Sequence, residues 1–436
     1  MNIHELTLYR DETGASEFKI GNRQRFMVEM DFSEAEKNGG IRAGSMNFSQ
    51  CMRLKFPLDT DRLEKAVQKV IDENDALRVV LIKKEDGFYE KVVEHYPFKL
   101  NILDAQTGSP EENLEKAKEI AMENLEIPFD MYNELSIRLF LIKLGENDHL
   151  MVWIAHHWIG DGSTSGLVID QIFRYYEDIN TKIPDHATFM EFIKEEYAFE
   201  KTDKGLQQIE YWRKELGDYK KLDMTKTLIG ERASGEDRFR SFSKEKPDTI
   251  AKAFRTSRFN VMLMAFHVAV SAIVGADDTL IGIANANRTS RKFLYTVGYL
   301  AHPIQHRIRT TDSDKLSDLM IASKKKFSEN MSNAKMSYFF DSVQFCITYQ
   351  NFIAGAESKE QNIIPVSIPS KRVMEHFYLV VFENENDISL CSVSGPTFTD
   401  KFYESLIRYM NITVDFLITD GNATVADVKK KFCEEK

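Results

Sequence analysis

Apolar and polar positions along the chain fall into two rhythms, one near four residues and one of two. Residues 59–75, DTDRLEKAVQKVIDEND, place Leu63, Ala66, Val67, Val70 and Ile71 at helical spacing behind acidic residues suited to a helix start, which predicts an amphipathic helix on a core. ALRVVLIKK and GFYEKVVEHY, separated by a Glu-Asp-Gly turn signal, predict a hairpin. PEENLEKAKEIAMENL reads as a helix, LSIRLFLIKL and HLMVWIAHH as strands around the turn Gly145-Glu146-Asn147-Asp148, and STSGLVIDQIFRYYEDI as a return to helical spacing.

The periodicity lapses around Pro184, so TKIPDHATFM (181–190) predicts a connector. Beyond it MEFIKEEYAFE and GLQQIEYWRKEL predict helices, and the polar stretch 218–248 predicts irregular chain. The second half alternates again: RFNVMLMAFHVAVSAIVG (helix), TLIGIANANR (strand into loop), KLSDLMIASKKKFSENM (helix), VQFCITY, FYLVVFEN and ISLCSVSG (strands), and DKFYESLIRYMNITVDFLI (helix). The pattern predicts two α/β lobes, 1–180 and 181–436, with antiparallel hairpins as well as crossovers.

Composition narrows the class. A chain of 436 residues with 43% hydrophobic and 11% aromatic residues carries enough apolar surface to fold, as two or three units at about 150 residues each. Its net charge of -11 argues against a duplex nucleic-acid binder, which needs a basic face for the phosphates. Cys51, Cys346, Cys391 and Cys433 are far apart and form no CxxC pair, which predicts free thiols in a reducing compartment. The start MNIHELTLYRDETG has no basic-then-apolar signal pattern, and the chain has no apolar run of membrane-spanning length. A cytoplasmic, soluble protein with no membrane partner is expected.

One stretch breaks the pattern. HLMVWIAHHWIGDGSTSG (149–166) is a buried-strand sequence ending in His156, His157, Asp161 and Gly162. A histidine where a strand opens into a loop can act as a general base, because imidazole titrates near neutrality. Two adjacent strand residues point to opposite sides, so both rings cannot face one substrate. Asp161 can turn back to orient the imidazole or anchor the loop elsewhere, and Gly162 permits close backbone approach. From spacing alone, satisfied strand-end polar residues with no chemistry are the favoured reading. A zinc site does not, since HH-x3-D lacks helical i, i+4 spacing, and no GxSxG elbow supports a serine hydrolase.

His-His-x-x-x-Asp-Gly at a strand end resembles the core motif of nonribosomal-peptide-synthetase condensation domains, in the acyltransferase superfamily that includes chloramphenicol acetyltransferase. Four such fixed residues arise by chance in roughly one sequence in a thousand at average usage. Further segments follow in the family's order. FPLDTDRLEKAVQKVIDENDALRVVL is similar to the helix and RHExLRTxF-type segment, with Leu77 and Arg78 kept, and IEYWRKEL resembles the later Tyr-Trp helix. GADDTLIGIANANR is similar to the GxDDxxxGxxxxNR strand, VGYLAHPIQHRI to the IGxFVNTLPLRV loop, and FCITYQNF to the FNYQN-like strand. The likeness runs from about residue 50 to 420.

The resemblance implies an α/β fold of two chloramphenicol-acetyltransferase-like lobes in a V-shaped pseudo-dimer with a central tunnel. It makes His157 the active-site imidazole, acting as base or positioning group, with Gly162 offering a backbone N–H to the oxyanion. His156 and Asp161 are implied to be structural, Asp161 pairing with an arginine for which sequence order nominates Arg288. His302 and Tyr349 are candidate tunnel residues. His302 and Gln305 depart from the family's Asn and Pro, and Gly160 and Ser163 from its frequent Ser and Trp, which bears on substrate choice.

Heterocyclisation relatives carry Asp at the histidine positions, BAHD acyltransferases need a DFGWG segment that SVSGPTFTD does not supply, and the epimerisation glutamate motif is not found. The expectation is therefore a free-standing, monomeric condensation-type acyltransferase without cofactor or metal. It would join a donor carried on the phosphopantetheine of an acyl or peptidyl carrier protein, or on coenzyme A, to a small amine or hydroxyl acceptor. Lys324-Lys325-Lys326 is a candidate docking patch for an acidic carrier. A non-catalytic carrier-recruitment module and a coenzyme A-dependent O-acyltransferase are the alternatives.

Overall fold

The computed structural model describes residues 3–37, 44, 46–228, 238–339, 343–350, 362–368, 377–383, 387–393 and 398–435. Its strands are β1 Phe18–Lys19, β2 Asn47–Leu54, β3 Val79–Lys84, β4 Gly87–Val92, β5 Asn101–Asp104, β6 Ile137–Gly145, β7 Asp148–His156, β8 Arg238–Ser243, β9 Asp278–Asn285, β10 His302–Arg309, β11 Phe345–Gln350, β12 Ile363–Val366, β13 Phe377–Glu383 and β14 Asp387–Val393. Its helices are α1 Asn22–Lys37, α2 Thr60–Glu73, α3 Pro110–Glu126, α4 Gly162–Glu177, α5 Phe189–Glu200, α6 Asp203–Leu216, α7 Glu245–Ala253, α8 Arg258–Val274, α9 Leu316–Ser332, α10 Asp400–Thr419 and α11 Val425–Glu434.

Two compact units form. The first gathers the described residues of 1–199, 286–301 and 352–370, and the second those of 200–285, 302–351 and 371–436. The first holds a five-stranded sheet in the order β12-β2-β7-β6-β5 and a small sheet β1-β4-β3. Strand β7 lies between β2 and β6, antiparallel to both. Buried on both faces over most of its length, it needs the continuous apolar run LMVWIA rather than an alternation. Helix α2 starts where the Asp59 carboxylate accepts Arg62 N–H and buries the stripe Leu63, Ala66, Val67, Val70 and Ile71. A Ser109–Glu112 capping box with Pro110 in the first turn starts α3.

The second unit holds a six-stranded sheet, β10-β9-β11-β13-β14-β8, in which β9, β11 and β13 run parallel and the other neighbours antiparallel. Phe345, Phe377, Phe398 and Phe402 pack ring on ring at its centre. Helix α8, buried along nearly its whole length, lies against α10. Among the described residues no single helix is long and apolar enough to cross a membrane.

Three expectations change. The stretch 218–248 contains the edge strand β8 and the start of α7, whose polar sequences suit a sheet edge and a half-exposed helix. His302–Arg309, expected as loop, is strand β10, fully paired with β9. The division at 180/181 moves, because α5 and residues 286–301 belong to the first unit. The Asp75 carboxylate accepts Phe189 and Met190 N–H at 3.0 and 2.9 Å, holding the start of α5, and Phe189, Phe192, Phe293, Tyr299 and Leu300 share a core with Ala76. The last two residues of FCITYQNF lie outside the described residues.

Candidate active site

The two histidines stand at the end of β7, fixed by backbone pairing: His156 N–H donates to Ser136 O at 3.0 Å and His157 N–H to Met46 O at 2.8 Å. His156, 1% exposed, turns into the unit. Its Nδ1 accepts Trp158 N–H at 3.1 Å, so its proton sits on Nε2, 3.6 Å from the buried Asp31 carboxylate. Trp158 is locked by its indole N–H donating to Ser136 Oγ at 2.7 Å.

His157 holds the opposite tautomer. Its Nδ1 lies 3.2 Å from the Gly160 carbonyl, which can only accept, so Nδ1 carries the proton. In the neutral ring Nε2 is then the basic nitrogen. The half-buried imidazole stacks on Phe48 at 4.4 Å between centroids, with Tyr299 edge-on at 6.2 Å. Gly160 has no room for the family's serine, since a β-carbon there would stand 2.8 Å from Thr164 Cγ2 and 3.3 Å from Phe48 Cζ.

Asp161 does not reach the imidazole; it anchors the loop. Its Oδ1 accepts Thr164 N–H at 2.9 Å and Thr164 Oγ1–H at 3.1 Å, capping α4. Its Oδ2 accepts Arg288 Nη1 at 3.0 Å, Leu300 N–H at 3.0 Å and Ala301 N–H at 2.9 Å. Burial alone would raise this carboxyl, but the Arg288 charge and the hydrogen bonds outweigh it and hold it below the usual carboxylate range. Arg288, its side chain 7% exposed, also donates to the carbonyls of Ala286, Thr296 and Gly298. The 296–301 turn is thereby pinned to the start of α4. Gly298, at φ +155°, lies against Phe189, where a β-carbon would approach the ring to within 2.3 Å.

Gly162 opens α4, where first-turn N–H groups have no helical acceptor. It has no positive φ, and a β-carbon would meet no atom within 4 Å, so neither backbone conformation nor crowding requires glycine here. It leaves open space at a helix N-terminus.

His302 and Tyr349 lie in the second unit. His302, 3% exposed at the start of β10, donates from Nε2 to Ala334 O at 2.6 Å. Tyr349 on β11 donates to Glu383 Oε2 at 2.8 Å and accepts from Arg258 Nη1 at 3.2 Å. Gln305 is buried in β10 and its carbonyl accepts from Asn330. Lys324 and Lys326, on α9, are engaged with Phe254 O and Glu215. Among the described residues no group of three or more His, Cys, Asp or Glu is placed to hold a metal ion.

Phe48, Tyr299, Thr164 and Asp31 complete the site and were not singled out from sequence. Phe48 and Asp31 sit on β2 and α1, whose patterns are too irregular to stand out, while Tyr299 lies inside the quoted segment VGYLAHPIQHRI.

Comparison with known proteins accounts for this arrangement. The chain is 23% identical over 325 residues to nonribosomal peptide synthetase kk1B of Curvularia clavata, a match covering 71% of this chain and 2% of that protein. It is 25% identical over 280 residues to cyclosporin synthetase simA of Tolypocladium inflatum, covering 60% of this chain and 2% of that one. The chain thus spans a small fraction of the curated relatives it matches. Among solved structures it resembles the condensation domain from Monacolin K polyketide synthase MokA, with a TM-score of 0.77 at 15% identity over 94% of this chain and 99% of that one. It also resembles a variant of the starter condensation domain of rhizomide synthetase in complex with C8-CoA, with a TM-score of 0.74 at 13% identity over 94% and 97%. The family described as Condensation domain matches residues 42–339, more than half of the chain. A condensation-domain fold, the His-His-x-x-x-Asp-Gly loop and a family match of this extent lead to one conclusion: the chain belongs to the condensation domain family, whose members are acyltransferases forming amide or ester bonds.

Proposed function

We propose that the chain joins a thioester-bound acyl or aminoacyl donor to an amine acceptor, with His157 acting on the attacking nitrogen. The observation that carries this reading is the tautomer. Nδ1–H donates to the Gly160 carbonyl, which makes Nε2 the nitrogen able to receive a proton. As the amine attacks the thioester carbonyl, its proton passes to Nε2. The tetrahedral intermediate then collapses, the C–S bond breaks, and the leaving thiolate takes the proton from Nε2, which restores the neutral imidazole. The N–H of Gly162 and the positive end of α4 favour the oxyanion. Asp161 and Arg288 hold the loop without taking part in proton transfer.

The donor arrives on the phosphopantetheine of a carrier protein, and no resident cofactor is required. Four free cysteines fit a cytoplasmic setting. A second reading takes acyl-coenzyme A as donor, with an amine or hydroxyl acceptor; the rhizomide synthetase starter domain in complex with C8-CoA favours it.

The test is product detection by mass spectrometry with acyl-loaded carrier protein and acyl-coenzyme A against a panel of amines and alcohols. His157→Ala lowers turnover by about 10²- to 10⁴-fold, the usual contribution of a positioned base, with an unchanged unfolding midpoint. Turnover with coenzyme A thioesters alone selects the second reading. Wild-type protein that makes no product with any donor refutes both.

A further inference from the structure

Beside the imidazole stands a tyrosine whose hydroxyl the fold does not use. Tyr299 is 7% exposed, packed among Ala76, Phe189, Phe192, Phe293 and Leu300, with its ring edge-on to His157. Of the three other tyrosines buried among the described residues, two spend their hydroxyls internally: Tyr403 donates to Leu390 O at 2.8 Å and Tyr175 to Glu73. Tyr299 makes no hydrogen bond among the described residues, yet its oxygen is not among the polar atoms sealed from solvent without a partner. A phenol held this deep and left without a protein partner is a donor available to a ligand. Burial first, and then the nearby Asp161 charge, push it well above the ordinary phenol range, the Arg23 charge opposing them, so it stays a donor at any working pH. The backbone holding it is fixed, since Gly298 is closed against Phe189 and Leu300 N–H is bonded to Asp161.

We propose that Tyr299 is a specificity-determining residue whose hydroxyl donates a hydrogen bond to an oxygen of the substrate held at His157. This rests on the acyl-transfer reading above. A site built to pair a polar atom discriminates against ligands lacking it, because the unpaired group is then stranded. The substrate class is accordingly one with an oxygen acceptor close to the reacting carbonyl, such as an aminoacyl amide or a 3-oxygenated acyl chain. A plain alkyl donor lacks that oxygen.

The test uses Tyr299→Phe, which keeps ring packing, beside wild type and His157→Ala. The probes are the octanoyl and 3-hydroxyoctanoyl thioesters, each presented on coenzyme A and on a carrier protein, whose binding is read by calorimetry and whose turnover with a panel of small amines is read by mass spectrometry. Wild type is expected to prefer the 3-hydroxy donor in binding and in kcat/KM. Tyr299→Phe is expected to lose that preference by about 10- to 100-fold, the 3-hydroxy donor weakening while the octanoyl donor is handled as well as before or better, with unchanged unfolding midpoint. A merely structural tyrosine would lower both donors together. If wild type is active, His157→Ala is inactive and Tyr299→Phe keeps the wild-type preference, this inference is wrong and the acyl-transfer reading stands. If wild type neither binds nor turns over either acyl group on either carrier, both fall.

Discussion

Replacing Arg288 with methionine probes the clamp on the loop that follows the histidine pair. The guanidinium meets Asp161 at 3.0 Å with both side chains under a tenth exposed. Stranding one member of such a pair costs about 3 to 5 kcal/mol. Asp161 keeps four other donors, from Thr164 N and Oγ1, Leu300 N and Ala301 N, so the lower end applies, about 3 kcal/mol at pH 7. The cost must depend on pH. In the wild type the folded carboxyl titrates below its unfolded value, so its contribution is present above the unfolded value and is lost as pH falls through the folded one. In Arg288→Met the guanidinium no longer opposes burial, and the carboxyl is raised relative to the wild type. Its penalty is then full at neutral pH and fades as acid protonates it, to below about 2 kcal/mol at pH 4.5. Urea unfolding followed by tryptophan fluorescence reads the first unit if Trp212, in the second, is replaced by phenylalanine, because Trp153 and Trp158 both lie in the first. A destabilisation under about 1 kcal/mol at pH 7, or one equal at pH 7 and 4.5, refutes the clamp.

Two further outcomes follow from the packing. Gly298→Ala forces a β-carbon into the buried Phe189 ring at an unfavourable φ, and should cost about 3 kcal/mol in unfolding experiments and displace the turn that binds Asp161. In the second unit a buried chain runs from Thr279 Oγ1 through His267 and His306 to Ser323 O, with links of 2.7, 2.8 and 3.2 Å. Burial holds both rings neutral: His267 is far below its ordinary value, the neighbouring His306 adding to the effect, and His306 is pushed down to about 4. Stability is therefore full above pH 6.5 and falls as the unfolded chain gains protons, by about 2 kcal/mol per histidine between pH 6.5 and 5. Trp212 fluorescence during urea unfolding checks this, and a flat profile over that range rules out the neutral pair.

Strong local signals were readable without coordinates. The caps and apolar stripe of α2, the turn between β6 and β7 and the unbroken apolar run of β7 each arise from interactions within a few residues. Elements missed or misassigned depend on partners distant in sequence. Strand β2 has a mixed burial pattern and takes its place from β12 on one edge and β7 on the other, and β10 exists because β9 supplies its full register.

The chain alone determined that a histidine pair ends a buried strand, that Asp161 and Gly162 follow at fixed spacing, and which family that spacing resembles. Folding decided the rest. Adjacent side chains on a strand diverge, so one imidazole meets Asp31 inside and the other meets Gly160, Phe48 and Tyr299. A buried carboxylate must find donors wherever the chain brings them, and Asp161 finds them at residues 288, 300 and 301, in a segment that sequence order assigned to the other lobe. Linear order records which groups exist; only the solvation cost of burying them dictates which ones meet.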